Sequence, residues 1–396
     1  MRIALIADAF PPLRSSGAVQ LRDLSLEFVN QKHDVTMFVA APGLDVSFRI
    51  ENWRGVRVVR LKALQTKDVG YVRRTVNEFL MPFVMLRNLR KSPLATERWD
   101  GIAWYSPTIF LGPIVRSLKY ASACRSYLII RDIFPEWAAD MGLMSRGLPY
   151  WIFKAIANYQ YSVADVIGVQ TQGNRVYFTD WLTGASRRVE VLQNWLAHAP
   201  VTGCSISVDK TSLAGRKIFV YAGNMGVAQG MVILLDLAEC LKHRPDLGFL
   251  FVGRGSDAQR LREDAKQRDL DNVVFSDEID PDEIPGLYEQ CHIGLVALDP
   301  RHKTHNIPGK FLSYMQAGLP VLASINPGND LVELIATERV GRVCRDTSAA
   351  LMAVEALELL EAVSLDAGYK KRCLALAARL FSPEVAVKQI VNALQV

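Results

Sequence analysis

A chain of 396 residues, 50% hydrophobic and 22% charged, is long enough for two hydrophobic cores and too apolar to remain disordered. Its net charge of +5 is modest and clusters locally, as at Arg87, Arg90 and Lys91, without a basic stripe interleaved with aromatics, so nucleic acid is not an expected partner. The six cysteines (Cys124, Cys204, Cys240, Cys291, Cys344, Cys373) are scattered, without zinc-site or disulfide-framework spacing. No apolar run approaches the roughly 20 residues that span a bilayer, and Met1-Arg2 leads directly into a strand-like segment rather than a signal peptide. A reduced, cytoplasmic chain is the expectation.

Along the chain, short apolar runs alternate with longer amphipathic segments, the pattern of parallel strands joined by crossover helices. Strands are predicted at residues 3–7, 35–39, 56–61, 102–105, 127–130, 166–169 and 189–192, without the alternation of a sheet that has one wet face. Between 56–61 and 102–105, the stretch 71–91 mixes large apolar residues with Arg73, Arg74, Arg87, Arg90 and Lys91. It reads either as a segment lying in a bilayer interface or as a crossover helix, kinked at Pro82, whose apolar face packs on the sheet.

A polar stretch at 199–215, with Pro200, Gly203, Ser205, Ser207 and Ser212, breaks the rhythm near the midpoint and reads as a linker. A second series follows at 218–222, 248–252, 273–275, 293–298 and 321–323. The expected organisation is a domain over 1–198, a second over 199–380, and a helix over 381–396 returning to the first. Both would be doubly wound α/β domains.

Ligands of such sheets bind outside the carboxyl ends of the strands, which directs attention to the loops there. The first, at 8–18, carries paired prolines and Gly17, where backbone and ligand can approach closely ahead of a helix. At 131–137, Arg131 and Asp132 follow a strand. Asp132 either orients an acceptor hydroxyl and takes up its proton, or structures the turn beside Arg131.

The loop at 221–230 contains Gly223, Asn224, Gly226 and Gly230, yet it is neither a GxGxxG fingerprint nor a GxxxxGK[ST] loop. The next strand ends in Gly253-Arg254-Gly255 instead of the acidic residue that binds a nicotinamide ribose, and Arg254 offers charge to a phosphate. At 302–321, after Asn306, Pro308 and Gly309 open a short helix that ends at Gly318, so free N–H groups and the positive end of the helix dipole form an anion site. Lys310 in its first turn opposes that dipole and points to an anionic ligand rather than to helix stabilisation. His302 and His305 lack a completing ligand set apart from Asp299, so no metal is expected; His305 is assigned to hydrogen bonding with a sugar hydroxyl or phosphate.

These residues resemble glycosyltransferase family 4. The markers are Phe10-Pro11-Pro12 with Gly17, Arg131 to Glu136, Gln193-Asn194, Tyr221 to Asn224, Val252 to Gly255, and Lys310 to Val321. The narrower resemblance is to bacterial O-antigen transferases that move N-acetyl-L-fucosamine from its uridine diphosphate donor. The family implies a GT-B fold, two Rossmann-like domains facing a cleft, and a retaining, metal-independent transfer without a cofactor, the UDP-sugar being a co-substrate. It also implies an acceptor on a polyprenyl diphosphate lipid and a peripheral position on the inner face of the plasma membrane.

Three positions depart from the wider family. Asn224 and Gln229 stand where its members carry Arg and Lys, and His305 and Ser313 match its two glutamates spaced eight apart. The resemblance therefore implies that Lys310 and Arg254 replace the missing charges, with Gly17, Gly223, Asn224, His305, Asn306, Pro308, Gly309 and Ser313 as the other donor contacts. A GT-B sugar-nucleotide epimerase and a non-catalytic nucleotide-binding scaffold are the competing expectations.

Overall fold

The computed structural model describes all residues except Arg14, Asp180, 182–186, His302, Thr304, His305, Pro327, Thr347 and Val396. The chain divides into two compact units, one comprising Met1–Trp195 with Pro383–Val396 and the other Leu196–Ser382.

The first unit contains β1 (Arg2–Ala7), α1 (Ser16–Asn30), β2 (Asp34–Pro42), β3 (Phe48–Trp53), β4 (Val56–Ala63), α2 (Tyr71–Leu89), β5 (Gly101–Ser106), α3 (Gly112–Ser122), β6 (Arg125–Ile130), α4 (Glu136–Asp140), α5 (Leu148–Val163), β7 (Val166–Val169) and β8 (Arg188–Val191). Its sheet has the order β3-β4-β2-β1-β5-β6-β7-β8. The strands read as unbroken apolar runs because both faces are covered. Ala4, Ile6, Phe38, Val59, Trp104 and Leu128 pack on the side of α2, α3 and α5, while Ile3, Leu5, Val35, Met37 and Tyr127 pack on the side of α1.

Strand β3 is an addition to the expected set and runs antiparallel to β4. Its sequence, Phe-Arg-Ile-Glu-Asn-Trp, is too polar to signal a buried strand. The connection is legible only as geometry: Arg54 and Gly55 both adopt positive φ (52° and 88°), as a two-residue primed turn requires, and Asn52 Oδ1 accepts the Gly55 N–H at 3.0 Å.

In α2 the two halves behave differently. Met81, Pro82, Met85, Asn88 and Leu89 are buried, whereas Tyr71 and Val72 are 89% and 81% exposed and Val76, Phe79, Leu80 and Phe83 also face solvent. The crossover description fits the second half only. Among the described residues, no helix is long and apolar enough to cross a membrane.

The second unit contains β9 (Lys217–Ala222), α6 (Val232–Cys240), β10 (Leu247–Val252), α7 (Ala258–Gln267), β11 (Val273–Ser276), α8 (Ile284–Tyr288), β12 (Ile293–Ala297), α9 (Gly309–Ala317), β13 (Val321–Ser324), α10 (Asp330–Glu338), β14 (Gly341–Cys344), α11 (Ala349–Leu365) and α12 (Gly368–Leu380). Its sheet is parallel throughout, in the order β11-β10-β9-β12-β13-β14. The last helix, α13 (Pro383–Gln395), belongs to the first unit, where Val387, Ile390 and Leu394 are buried and Gln389 donates to Glu190 Oε1 at 2.8 Å and Val191 O at 2.9 Å. Strand order reverses between β1 and β5 in one sheet and between β9 and β12 in the other, which marks the carboxyl ends of these strands as ligand positions.

Candidate functional site

In the second unit the backbone leaving β9 runs alongside that leaving β10. Gly223 N–H donates to Val252 O at 2.9 Å and Met225 N–H to Arg254 O at 2.8 Å. The glycines of the second loop are demanded by this approach: a Cβ on Gly253 would lie 2.0 Å from Gly223 O, and one on Gly255 would lie 2.3 Å from Met225 O. Their φ angles of 144° and 155° are themselves costly for other residues. The Gly223 N–H is thus occupied by the fold.

Lys310 comes to this loop from α9. Its Nζ donates to Tyr221 Oη at 2.6 Å and lies 3.8 Å from the centre of the Tyr221 ring. Tyr221 Oη in turn donates to Asn224 O at 2.6 Å, and Asn224 Nδ2 donates to Gln229 Oε1 at 3.1 Å. Burial pulls the Lys310 pKa down to about 7. Pro308 caps α9 in an extended conformation without a side-chain hydrogen bond, so Gly309 and Lys310 bring an uncapped helix start to the same place. Lys310, Gly223, Asn224, Pro308 and Gly309 therefore form one group.

Arg254 is engaged elsewhere: its guanidinium is 80% exposed and pairs with Glu278 at 2.7 Å. Ser313 turns its hydroxyl back toward Gly309 O at 3.4 Å. Asn306 holds a buried Oδ1 without a hydrogen-bond partner, an acceptor available to a ligand hydroxyl. His305 lies outside the described residues. Among the described residues, no three His, Cys, Asp or Glu side chains are grouped to hold a metal ion.

In the first unit Tyr105 is the hub. A Cβ on Gly17 would lie 3.2 Å from its ring, and its hydroxyl donates to Gln20 Oε1 at 2.7 Å. Arg131 is buried across Tyr105 and Trp195, its guanidinium carbon 5.8 Å and 4.5 Å from the two ring centres, and Nη1 donates to Leu192 O at 3.3 Å. Arg131 braces the strand ends, whereas Asp132 is exposed beside it.

Sequence reading missed Asp8, immediately after β1 at the point of strand reversal. Its Oδ1 is buried without a partner, and burial raises its pKa. A cleft of about 380 Å³ is lined by Phe10 and Leu13 from the loop after β1, by Val39 and Leu44 from β2 and the loop after it, and by Arg49 of β3 and Arg60 of β4. Tyr221, named only within a family marker, was given no role of its own, because a tyrosine in an apolar strand signals core; its contact with Lys310 distinguishes it.

The fold defined by these two sheets is GT-B, that of known glycosyltransferase structures. The sucrose-phosphate synthase of Thermosynechococcus elongatus superposes with a TM-score of 0.75 at 16% identity, over 99% of this chain and 97% of that one. Anabaena HepE in complex with UDP and glucose gives 0.70 at 16% identity, over 100% and 99%. Residues 216–362, within the second unit, match the family described as Glycosyl transferases group 1. The chain is also 26% identical over 274 residues to a putative colanic acid biosynthesis glycosyl transferase, WcaI, of Escherichia coli (strain K12). That match covers 66% of this chain and 64% of the relative, so the chain spans just under two thirds of the relative's length.

Proposed function

We propose that the chain is a glycosyltransferase of surface polysaccharide synthesis that moves a sugar from a UDP-sugar to a lipid-linked saccharide. The observation that carries this reading is the Lys310 ammonium, held beside Gly223 at the uncapped start of α9 within the region matched to Glycosyl transferases group 1. The UDP bound by HepE and the polysaccharide role named for WcaI support the donor and the pathway class.

In this reading the donor diphosphate lies against Lys310 and the N–H groups of Gly309 and Lys310, which neutralise charge as the diphosphate departs. Arg254 joins when it exchanges Glu278 for phosphate. Asn306, His305 and Ser313 contact the sugar or ribose. Gly17 lets the first unit's backbone approach the donor, and the acceptor, a saccharide on a polyprenyl diphosphate, occupies the Asp132 side of that unit, with Asp132 orienting the attacking hydroxyl or taking its proton.

The transfer is proposed to be retaining and metal-independent, with N-acetyl-L-fucosamine or a related amino sugar as donor. A peripheral position on the inner face of the plasma membrane belongs to the same proposal, supported by the exposed apolar residues of α2 beside Arg73 and Arg87.

Isothermal titration with UDP, followed by transfer of radiolabelled sugar to a lipid-linked acceptor, tests the reading. Transfer and a 10- to 100-fold weaker UDP affinity in Lys310→Ala are expected, from about 1.5–3 kcal/mol for hydrogen bonds to a charged group. Binding without transfer would favour a scaffold, and conversion of free donor an epimerase.

A further inference from the structure

Lysine in a helix's first turn ordinarily extends into solvent, where its flexible stem keeps its freedom and its charge keeps its water. Lys310 does neither. Its ammonium is drawn onto the face of Tyr221, a side chain with 0% exposure near the end of β9, and among the described residues no carboxylate pairs with it. A half-buried cation without a counter-charge is costly, and the geometry that enforces it comes from one residue.

Tyr221 meets Lys310 in two ways. Its ring face attracts the ammonium at 3.8 Å from the ring centre, and its oxygen accepts a hydrogen bond from Nζ at 2.6 Å while donating to Asn224 O. The same hydroxyl therefore ties the lysine to the loop carrying Gly223 and Asn224. Gly223, whose φ of 139° favours glycine, lies in contact range: a Cβ there would sit 3.5 Å from Lys310 Cε.

We propose that Tyr221 is a positioning residue, which fixes the Lys310 ammonium at the opening of α9 in readiness for a nucleoside diphosphate. The inference rests on the donor-site reading above. Tyr221 does not touch the reacting atoms; it acts through Lys310. Its hydroxyl, as an acceptor, favours the charged lysine over the neutral one and works against the burial that lowers the Lys310 pKa to about 7. The titratable neighbours on adjoining elements are Tyr314 of α9 and Tyr288 of α8, both held protonated by burial, and Arg254 is satisfied by Glu278.

The test is UDP affinity between pH 7 and 9, a range above the phosphate ionisation near pH 6. For the wild type, affinity is expected to fall severalfold per unit as Lys310 loses its proton. Tyr221→Phe should bind about 10-fold more weakly at pH 7, with its decline displaced to lower pH. Lys310→Met should flatten the profile, and adding Tyr221→Phe to Lys310→Met should cost nothing further. Tyr221→Leu takes the same place in the cycle if the Phe variant does not fold.

A flat wild-type profile, a Tyr221→Phe loss equal at every pH, or an equal loss in the Lys310→Met background would overturn the positioning role. Absence of UDP binding by the wild type at every pH would overturn the donor-site reading itself.

Discussion

Gly253 lies so close to Gly223 that a single added carbon would come within 2.0 Å of the Gly223 carbonyl oxygen. The obstruction is backbone, and the Gly253 φ of 144° adds strain for any other residue. Gly253→Ala should therefore push the β9 loop away from β10 and displace Lys310's partners. A loss of several kcal/mol of stability, or an insoluble product, is expected, as for a severe backbone clash. Thermal melts of the purified variant check it, and a wild-type Tm with wild-type UDP affinity would refute the role of this approach.

The pairing of Arg254 with Glu278 restrains the proposed diphosphate contact. Because both groups are largely exposed, the restraint is small, within about 1 kcal/mol. Glu278→Gln should tighten UDP binding about 2- to 5-fold at low salt, and the gain should shrink as salt is raised. Arg254→Ala should reverse the gain. An unchanged affinity in both variants would remove Arg254 from the donor site.

For Asp132 the expectation is a separation of parameters. Asp132→Ala should lower kcat on the order of 100-fold while leaving UDP affinity within about twofold, since the residue is assigned to the acceptor. A parallel loss of donor affinity would instead mark a structural disturbance of the first unit.

Burial raises the Asp8 pKa, and a hydrogen bond from its own backbone N–H, with Lys67 and Arg74, only partly offsets that burial. A carboxyl whose folded pKa exceeds its unfolded value binds more protons when folded. It therefore costs nothing below the unfolded pKa, near 3.9, and costs most once the pH has risen through the folded value. Asp8→Asn should raise Tm relative to wild type at pH 8 and leave it nearly unchanged at pH 4. If Asp8 also binds the acceptor, turnover of the variant falls although its stability rises, and equal melting at both pH values would contradict the burial argument.

Vesicle sedimentation addresses the exposed half of α2. With each basic residue near an anionic surface worth about 1 kcal/mol, Glu at Arg73, Arg74 and Arg87 should reduce binding to anionic vesicles by at least 10-fold. Neutral vesicles should discriminate little between variant and wild type. Equal binding to anionic vesicles by both proteins removes the proposed attachment.

Most of both sheets was legible because parallel strands covered on two faces must be apolar throughout, as Ile3 to Ala7 and Leu247 to Val252 are. β3 and β14 were not, both being half-exposed edge strands whose sequences, Phe-Arg-Ile-Glu-Asn-Trp and Gly-Arg-Val-Cys, lack an unbroken apolar run. At the candidate donor site, Pro308, Gly309 and Gly318 announce a helix start and stop locally, and Lys310 stands out because it opposes the dipole. Tyr221 lies 89 positions away, so its link to Lys310 depends on the register of β9 beside β12. The Arg254 and Glu278 pair is hidden for the same reason: each looks like an ordinary exposed charge until two strand ends are placed side by side.

The placement of α13 bears on how the protein is made. Leu394 fills the space over Gly101, where a Cβ would meet it at 2.8 Å, and the helix covers the face of the first sheet beside α1. The early half of the chain consequently leaves the ribosome with part of its interior bare, and must wait for nearly two hundred further residues before the closing helix arrives. A nascent chain stalled before Pro383 should thus recruit chaperones, however well its remaining strands have already assembled.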